Sequence, residues 1–100
     1  MDIKLVKNSD KEVEVIINGN IDSTNATAVG NALIKLADTY KSVILNLAGL
    51  GYTSSAGLRV ISSLQLALED NGGELAVKNV NDMVMEVFEM TGYAALLKFL

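Results

Sequence analysis

Residues 50–59 read Leu-Gly-Tyr-Thr-Ser-Ser-Ala-Gly-Leu-Arg, and the rest of the chain is organised around this stretch. It follows an apolar run over 42–47 and leads into a run of helical period that begins near Ala56. Ser54 and Ser55 therefore fall at a strand-to-helix junction. This junction suits an oxyanion, because the first N–H groups of a helix lack partners inside it and carry partial positive charge. The anion is either a serine oxygen that caps the helix or a separate group such as a phosphate on serine.

Before the junction the pattern predicts a β-hairpin. Apolar and charged residues alternate over about 3–7 and 12–18, with turn-forming residues at 8–11 between them. The two segments are expected to pair as antiparallel strands. Glu12 and Glu14 are then most simply the solvated face of the second strand.

A helix of about four turns is predicted next. Residues 19–22 break the strand pattern, and Ser23 or Thr24 is the expected N-cap. Apolar residues at spacings of three and four define its inward face: Ala26, Val29, Leu33, Leu36 and Tyr40.

After this helix the chain alternates strands and helices. The nearly continuous apolar run at 42–47 predicts a parallel strand in the middle of the sheet, covered on both faces. A second helix follows the serine junction and ends at 71–73, and a short strand occupies 74–77. Asn81 is the expected cap of a third helix, which ends at Thr91 and Gly92. The second helix faces inward with Leu58, Ile61, Leu64 and Leu68, and the third with Val84, Val87 and Phe88.

These elements predict a single α/β domain over residues 1–100. The expected fold is a small mixed sheet of four or five strands with helices packed on it, in the order β-β-α-β-α-β-α and a final optional strand. The tail at 94–100 fits a short helical turn and an edge strand equally well. Right-handed crossovers connect the parallel strands of such a sheet.

Composition excludes several classes of function. The chain has 8 basic and 12 acidic residues and a formal charge of −4, so it lacks the basic surface of a nucleic-acid binder. It contains no cysteine and no histidine, which removes disulfides, thiolate metal sites and a Ser-His-Asp triad. No apolar run approaches the ~20 residues of a membrane span. We expect a cytoplasmic, non-catalytic protein without metal or cofactor that binds neither nucleic acid nor membrane.

Four motifs in this order resemble a STAS domain of the anti-sigma-factor antagonist family, and the resemblance covers essentially the whole chain. They are Gly-Asn-Ile-Asp at 19–22, Thr-Ser-Ser-Ala-Gly-Leu at 53–58, Gly-Gly-Glu-Leu at 72–75 and Phe-Glu-Met-Thr-Gly at 88–92. The resemblance implies that the unphosphorylated protein binds an anti-sigma factor, often a serine kinase. Phosphorylation of a junction serine ends that binding, and a serine phosphatase is a further implied partner.

The family pattern at the junction is Asp-Ser-Ser/Thr-Gly-Leu, and the phosphorylated serine lies two residues before the glycine. That position is Ser55, with Ser54 as the alternative acceptor. Ser54 stands where the family often has aspartate, and Ala56 stands where it has the second hydroxyl. Asp22 resembles the family aspartate that neighbours the phosphorylation site.

A phosphate on Ser55 adds about −1.5 to −2 charge at a helix N-terminus, where a negative group is favoured, so the fold should persist. Arg59 lies four residues on and could pair with the phosphate. The loss of binding then has to arise at the partner surface. The expected partner-binding residues are Asp22, Tyr52, Thr53, Ser54, Ser55 and Arg59.

Simpler interpretations stay open for each residue. Ser54 or Ser55 could be only an N-cap, Asp22 could only begin the first helix, and Arg59 could be only a solvated helix residue. The alternative function is a constitutive STAS module that is never phosphorylated and serves as a scaffold, a small-ligand binder or part of a transport complex.

Overall fold

The computed structural model describes residues 2–100, in which five strands and four α-helices follow one another along the chain. The strands are β1 (Asp2–Lys7), β2 (Glu12–Ile21), β3 (Ser42–Thr53), β4 (Glu74–Lys78) and β5 (Lys98–Phe99). The helices are α1 (Ala26–Ile34), α2 (Leu36–Thr39), α3 (Ser55–Asp70) and α4 (Asp82–Met90). A 3-10 turn, Tyr93–Leu96, precedes β5, so the tail forms both structures that the sequence allowed.

The five strands form one mixed sheet in the order β1-β2-β3-β4-β5. β1 and β2 pair antiparallel, and every later pair is parallel. From β2 onward, each crossover connection leads to the adjacent strand on the same side of the sheet. Because such crossovers are right-handed, they place all the helices on one face of the sheet. The predicted sheet, hairpin and element order are confirmed.

The hydrophobic core lies between the helices and one face of the sheet. Alternate residues of β2 and β3 point into it, and α1, α3 and α4 add their apolar faces. Phe88 of α4 is fully buried and meets the ring of Tyr93 edge-on, with 6.1 Å between the ring centres. The fully buried strand residues are Val13, Val15, Ile17, Ile21, Val43, Leu45, Leu47, Leu50 and Val77.

The prediction that the central strand is covered on both faces is wrong. Ile44 and Asn46 of β3 are partly exposed, and they alternate with the buried residues of that strand. The helix-free face carries a polar network instead of a second core. Lys78 Nζ lies 2.9 Å from a Glu14 carboxylate oxygen, and Asn46 Nδ2 donates to the other oxygen at 3.0 Å. These bonds lower the pKa of Glu14, the Lys78 bond most, and its side chain is only 17% exposed rather than freely solvated.

β2 and β3 both run further than predicted. The pattern break at 19–22 and the end of the apolar run at Leu47 suggested earlier ends, but pairing continues to Ile21 opposite Thr53, through irregularities in register. A Cβ on Gly49 would lie 1.8 Å from Asn18 Oδ1. Glycine therefore permits a close approach of two strands here, and tertiary pairing overrides the turn tendency of the local sequence.

The first helix also differs from the prediction. It begins after Asn25, not after Ser23 or Thr24, and Lys35 separates it into α1 and the short α2. Ser23 and Thr24 are not the N-cap, and the N–H of Ala26 donates instead to the main-chain carbonyl of Asp22 at 3.0 Å. The predicted inward face is confirmed: Ala26, Val29, Leu33 and Leu36 are buried, and Tyr40 is partly buried.

Three other predicted helix boundaries are confirmed. Asn81 caps α4, since its Oδ1 accepts from the N–H of Val84 at 2.8 Å. Gly72 and Gly92, which follow α3 and α4, have φ of 75° and 78°. Glycine adopts this left-handed backbone without the steric cost that a Cβ imposes.

Candidate functional site

The junction between β3 and α3 is held by the end of β2. The N–H of Ser54 donates to the carbonyl of Ile21 at 2.9 Å, which fixes the start of α3 beside the last residue of β2. Ser54 has an extended backbone, and its Oγ accepts from the N–H of Ala56 at 3.2 Å. Ser54 is therefore the N-cap of α3. This is the capping role that the sequence analysis left open for a junction serine.

Ser55 differs from Ser54 in its exposure and in its hydrogen bonding. It is the first residue of α3 and is exposed, and its hydroxyl makes no hydrogen bond within residues 2–100. The first turn of α3 contains no acidic residue. An uncommitted hydroxyl thus stands at a helix N-terminus whose own first turn supplies no carboxylate, where an added anion is favoured.

Gly57 explains why α3 begins so close to the sheet. It is buried, and a Cβ there would lie 2.0 Å from Thr53 Oγ1 and 3.1 Å from Ile21 Cγ2. Both obstacles are atoms close to the backbone rather than the ends of long side chains. Only glycine allows the first turn of α3 to rest on the ends of β2 and β3, and Ser55 takes its position from that contact.

Asp22 directly follows the β2 residue that binds Ser54. Its Oδ1 accepts from the hydroxyl and the N–H of Thr24, at 2.5 and 2.9 Å, and its own N–H donates to Asn25 Oδ1. The Thr24 hydroxyl and then the Thr24 N–H lower the pKa of Asp22, so this carboxylate is anionic at neutral pH. Asp22 therefore shapes the turn before α1 and also places a negative charge near Ser54.

One of the residues predicted to lie exposed at the contact surface, Thr53, is buried. Thr53 is 1% exposed and lies beneath Gly57, so it supports the junction and cannot touch a partner. It points inward because β3 continues through it as a strand, which the sequence pattern did not reveal. Tyr52, the preceding residue, is 45% exposed, and Ser54 is partly exposed. We call Asp22, Tyr52, Ser54 and Ser55 the junction surface.

Arg59 is exposed and lies on α3 one turn after Ser55. It lines a cleft of about 310 Å³ between α1 and α3. The sequence analysis did not predict that α1 forms one wall of this cleft. The signal that could have indicated it is the spacing of four between Ala26, Gly30 and Ile34, which places them along one side of the helix. The complete lining is Ala26, Thr27, Gly30, Asn31, Ile34, Ala56, Arg59, Val60 and Ser63.

Within residues 2–100 no three acidic side chains lie close enough to hold a metal ion. None of the helices in this range is long and apolar enough to cross a membrane.

The profile of the STAS domain family matches residues 4–99. The chain belongs to the STAS domain family. An anti-sigma-B factor antagonist of Bacillus subtilis is 28% identical to this STAS domain over 87 residues, which are 87% of this chain and 80% of the relative. A Bordetella bronchiseptica protein named as the anti-sigma factor antagonist BtrV is 35% identical over 81 residues, 80% of this chain and 70% of the relative.

Solved structures share the fold of this STAS domain. The anti-sigma factor antagonist SpoIIAA in its unphosphorylated form matches with a TM-score of 0.85 at 17% identity, covering 99% of this chain and 88% of SpoIIAA. The phosphorylated form of the Bacillus SpoIIAA matches with a TM-score of 0.77 at 16% identity, covering 99% and 91%. The predicted family and the five-stranded mixed α/β fold are confirmed.

Proposed function

We propose that this STAS domain is an anti-sigma-factor antagonist controlled by phosphorylation of Ser55. Unmodified, it binds an anti-sigma factor that is also a serine protein kinase. The kinase transfers the γ-phosphoryl group of ATP to Ser55 Oγ and releases ADP, and the phosphorylated chain no longer binds. A serine phosphatase reverses the modification.

The observation that carries this proposal is the contrast between the two junction serines. The Ser54 oxygen accepts from the N–H of Ala56, whereas the exposed Ser55 hydroxyl has no such bond within residues 2–100. Phosphorylating Ser54 would remove a cap, which typically costs about 1 kcal/mol. Phosphorylating Ser55 adds charge at the first helical position without breaking a bond. The names of the Bacillus subtilis and Bordetella relatives support the same class of function.

The switch acts at the binding surface and not through unfolding. A phosphate at the start of α3 carries about −1.5 to −2 charge and interacts favourably with the helix dipole. The junction surface also contains the Asp22 carboxylate, so a docked partner would have to desolvate two negatively charged groups. The free STAS domain tolerates the phosphate, and the complex does not.

The domain itself performs no catalysis in this proposal, because the partner kinase and the phosphatase supply the chemistry. A regulator of sigma-factor availability works where transcription occurs, so we place it in the cytoplasm. Its partners are proteins, with no direct contact to nucleic acid or membrane.

The decisive experiment pairs the parent chain with each serine-kinase anti-sigma factor from the same genome. Calorimetry without ATP measures binding, and intact mass with site mapping after addition of ATP and Mg²⁺ measures modification. We expect one kinase to bind, to add one phosphoryl group to the parent and to Ser54→Ala, and to add none to Ser55→Ala. Phosphorylation should weaken binding at least about tenfold, the scale of a desolvated charge at an interface.

Two results would contradict the proposal. One is that no such kinase binds the unmodified parent. The other is that Ser55→Ala is modified as fast as the parent, which would assign the phosphate to another hydroxyl.

A constitutive interaction module is the second candidate, and Ser54 supports it. This residue stands where the family often has an acid, and its side chain is committed to capping. If the chain isolated from growing and from stressed cells never carries phosphate on Ser55, the module is the better proposal.

A further inference from the structure

The cleft between α1 and α3 adjoins the junction surface, because Ala56 and Arg59 line it and Ser55 immediately precedes Ala56. Its volume of about 310 Å³ is at the low end of the roughly 300–1,000 Å³ of small-molecule pockets. Most of its walls are apolar or small, and two helices approach closely at its base. A Cβ on Gly30 would lie 3.3 Å from Val60 Cγ2. The cleft is therefore a shallow slot that suits an inserted side chain.

Arg59 is the only charged residue in that lining. The ion pairs formed within residues 2–100 use Lys7, Lys78 and Lys98, and none of them uses Arg59. No hydrogen bond from the Arg59 guanidinium is formed within the same range either. The cleft thus presents an uncompensated cation on a chain whose net charge is −4. A guanidinium beside an apolar wall matches a carboxylate carried on an aliphatic stem.

The same guanidinium is within reach of a modified Ser55. Residues four apart on a helix are surface neighbours, and both Ser55 and Arg59 are exposed residues of α3. A phosphate is a strong partner for arginine, since its oxygens accept charge-assisted hydrogen bonds. Two anions therefore compete for one cation: a carboxylate entering the cleft and a phosphate on Ser55.

We propose that the α1–α3 cleft binds an acidic side chain of the anti-sigma partner through Arg59, and that phosphate on Ser55 disables the cleft by pairing with Arg59. This inference rests on the proposed function and deepens it. Phosphorylation then acts twice: it adds charge to the junction surface and removes the cation from the neighbouring cleft.

The first test uses the chain alone and needs no partner. Phosphoserine is incorporated at position 55 by genetic encoding, and ³¹P NMR follows its second ionisation. Pairing with Arg59 favours the dianion, so Arg59→Gln should raise this pKa by about 0.2–0.4 unit, as for an exposed i,i+4 ion pair. Lys35→Gln is the control for the loss of a positive charge, because Lys35 is exposed, directly follows the lining residue Ile34 and is itself absent from the cleft lining. Equal pKa values in the parent and Arg59→Gln would overturn the pairing.

The second test measures binding of the kinase identified under the proposed function. Arg59→Glu should weaken binding of the unphosphorylated chain at least about tenfold, and Lys35→Glu, with the same change in charge, less than about threefold. Charge reversal of individual acidic residues on the kinase should reveal one whose lysine variant restores binding to Arg59→Glu.

The third test is a cycle that combines both changes. Phosphorylation should weaken binding of Arg59→Gln less than it weakens binding of the parent. The two weakening factors should differ at least about threefold, because the Arg59 contribution is already absent in the variant. Equal factors would show that phosphate and Arg59 act independently, and would overturn the coupling.

The outcomes separate this inference from the function beneath it. A kinase that binds the parent and Arg59→Glu equally well refutes the cleft and leaves the antagonist function intact. A parent that binds no kinase refutes both the function and the cleft contact. If Arg59→Glu changes only self-association, measured by sedimentation, the occupant is a second copy of the chain. If free inorganic phosphate shifts the Arg59 NMR signals of the unmodified chain at millimolar concentration, the cleft is a phosphate site and the acidic-side-chain proposal fails.

Discussion

The N-termini of α3 and α4 occupy equivalent places in the fold and are built differently. Each helix follows a parallel strand at the same end of the sheet. At α4, Asn81 both accepts from the N–H of Val84 and donates to the carbonyl of Leu50, and Asp82 adds an acid to the first turn. At α3, Ser54 makes one longer capping bond, and the first turn contains no acid.

This difference separates a structural helix start from one that is available for regulation. The start of α4 is tied to β3 by a side chain and already has its negative charge. The start of α3 is held instead by main-chain and steric contacts, through Ser54 N–H and Gly57. The exposed hydroxyl of Ser55 is therefore not needed for the fold, and it can be modified without loss of a structural contact.

The largest effect is expected for Asn81→Ala. It removes the cap of α4 and leaves the Leu50 carbonyl without its side-chain donor, so the free energy of unfolding should fall by about 2–3 kcal/mol. Urea denaturation measures this change. Asn71→Ala is the control, since Asn71 donates one bond, to the Ala37 carbonyl at 2.9 Å, and caps no helix start. If both variants lose the same stability, Asn81 is not a special anchor.

Gly57→Ala should come next, with a loss of about 1–2 kcal/mol. Overpacking against Thr53 typically costs about 1–3 kcal/mol, and the better helix propensity of alanine offsets part of it. Gly30→Ala is the matched control, because its new Cβ would meet only the end of the Val60 side chain at 3.3 Å. Adding Thr53→Ala should recover part of the loss in Gly57→Ala. No recovery would mean that the Thr53 contact is not the cause.

Ser54→Ala should have a smaller effect, a loss of about 0.5–1 kcal/mol in thermal or urea unfolding. It removes one capping bond of 3.2 Å, while the main-chain bond to Ile21 persists. Ser55→Ala is the control and should be neutral within about 0.5 kcal/mol, the usual range of surface substitutions. Equal losses for the two serines would contradict their division into a structural and a free hydroxyl.

Ser55→Asp should stabilise the chain slightly, by about 0.3–1 kcal/mol at low salt, because it supplies the acid that the first turn of α3 lacks. Asp82→Asn should lose a similar amount at α4. Both effects should shrink in 1 M salt, where the Debye length is ~3 Å. A destabilising Ser55→Asp would show that the start of α3 does not accommodate a negative charge.

The start of α1 also has an acidic residue nearby, because Asp22 lies in the turn that precedes this helix. NMR titration should find the pKa of Asp22 below 3.8, and Thr24→Ala should bring it back toward that value. Because the folded pKa is lowered, the stabilisation is present above the ordinary aspartate pKa and is lost as the pH falls through the lowered value.

Local signals in the sequence predicted most of the fold. Periodicity identified β1 to β4, α3 and α4, and it predicted α1 and α2 as one helix. Turn residues such as Gly72 and Gly92 marked helix ends correctly. Strand ends were predicted less well, because the last residues of β2 and β3 pair only with each other. Their glycines and asparagines look like turn residues until the partner strand is known.

The candidate site was predicted in part. Ser54, Ser55, Asp22 and Tyr52 do lie at one end of the sheet, and Ser54 proved to be the cap. Thr53 was assigned to the exposed edge together with its neighbours, but its place in β3 turns it inward. The cleft beside Arg59 could not be foreseen, since it depends on how closely α1 approaches α3.

By itself, the sequence determined the class of fold, the family and the position of the serine junction, because these depend on hydrophobic period and short motifs that each segment carries locally. Only the tertiary structure decided which serine is free, why residue 57 is glycine, which sheet face lies open and where Arg59 meets a cleft. Each of these depends on atoms from segments distant in sequence, such as Ile21 against Ser54 or Gly30 against Val60. Their distances follow from packing the helices on the sheet, and no local pattern encodes them.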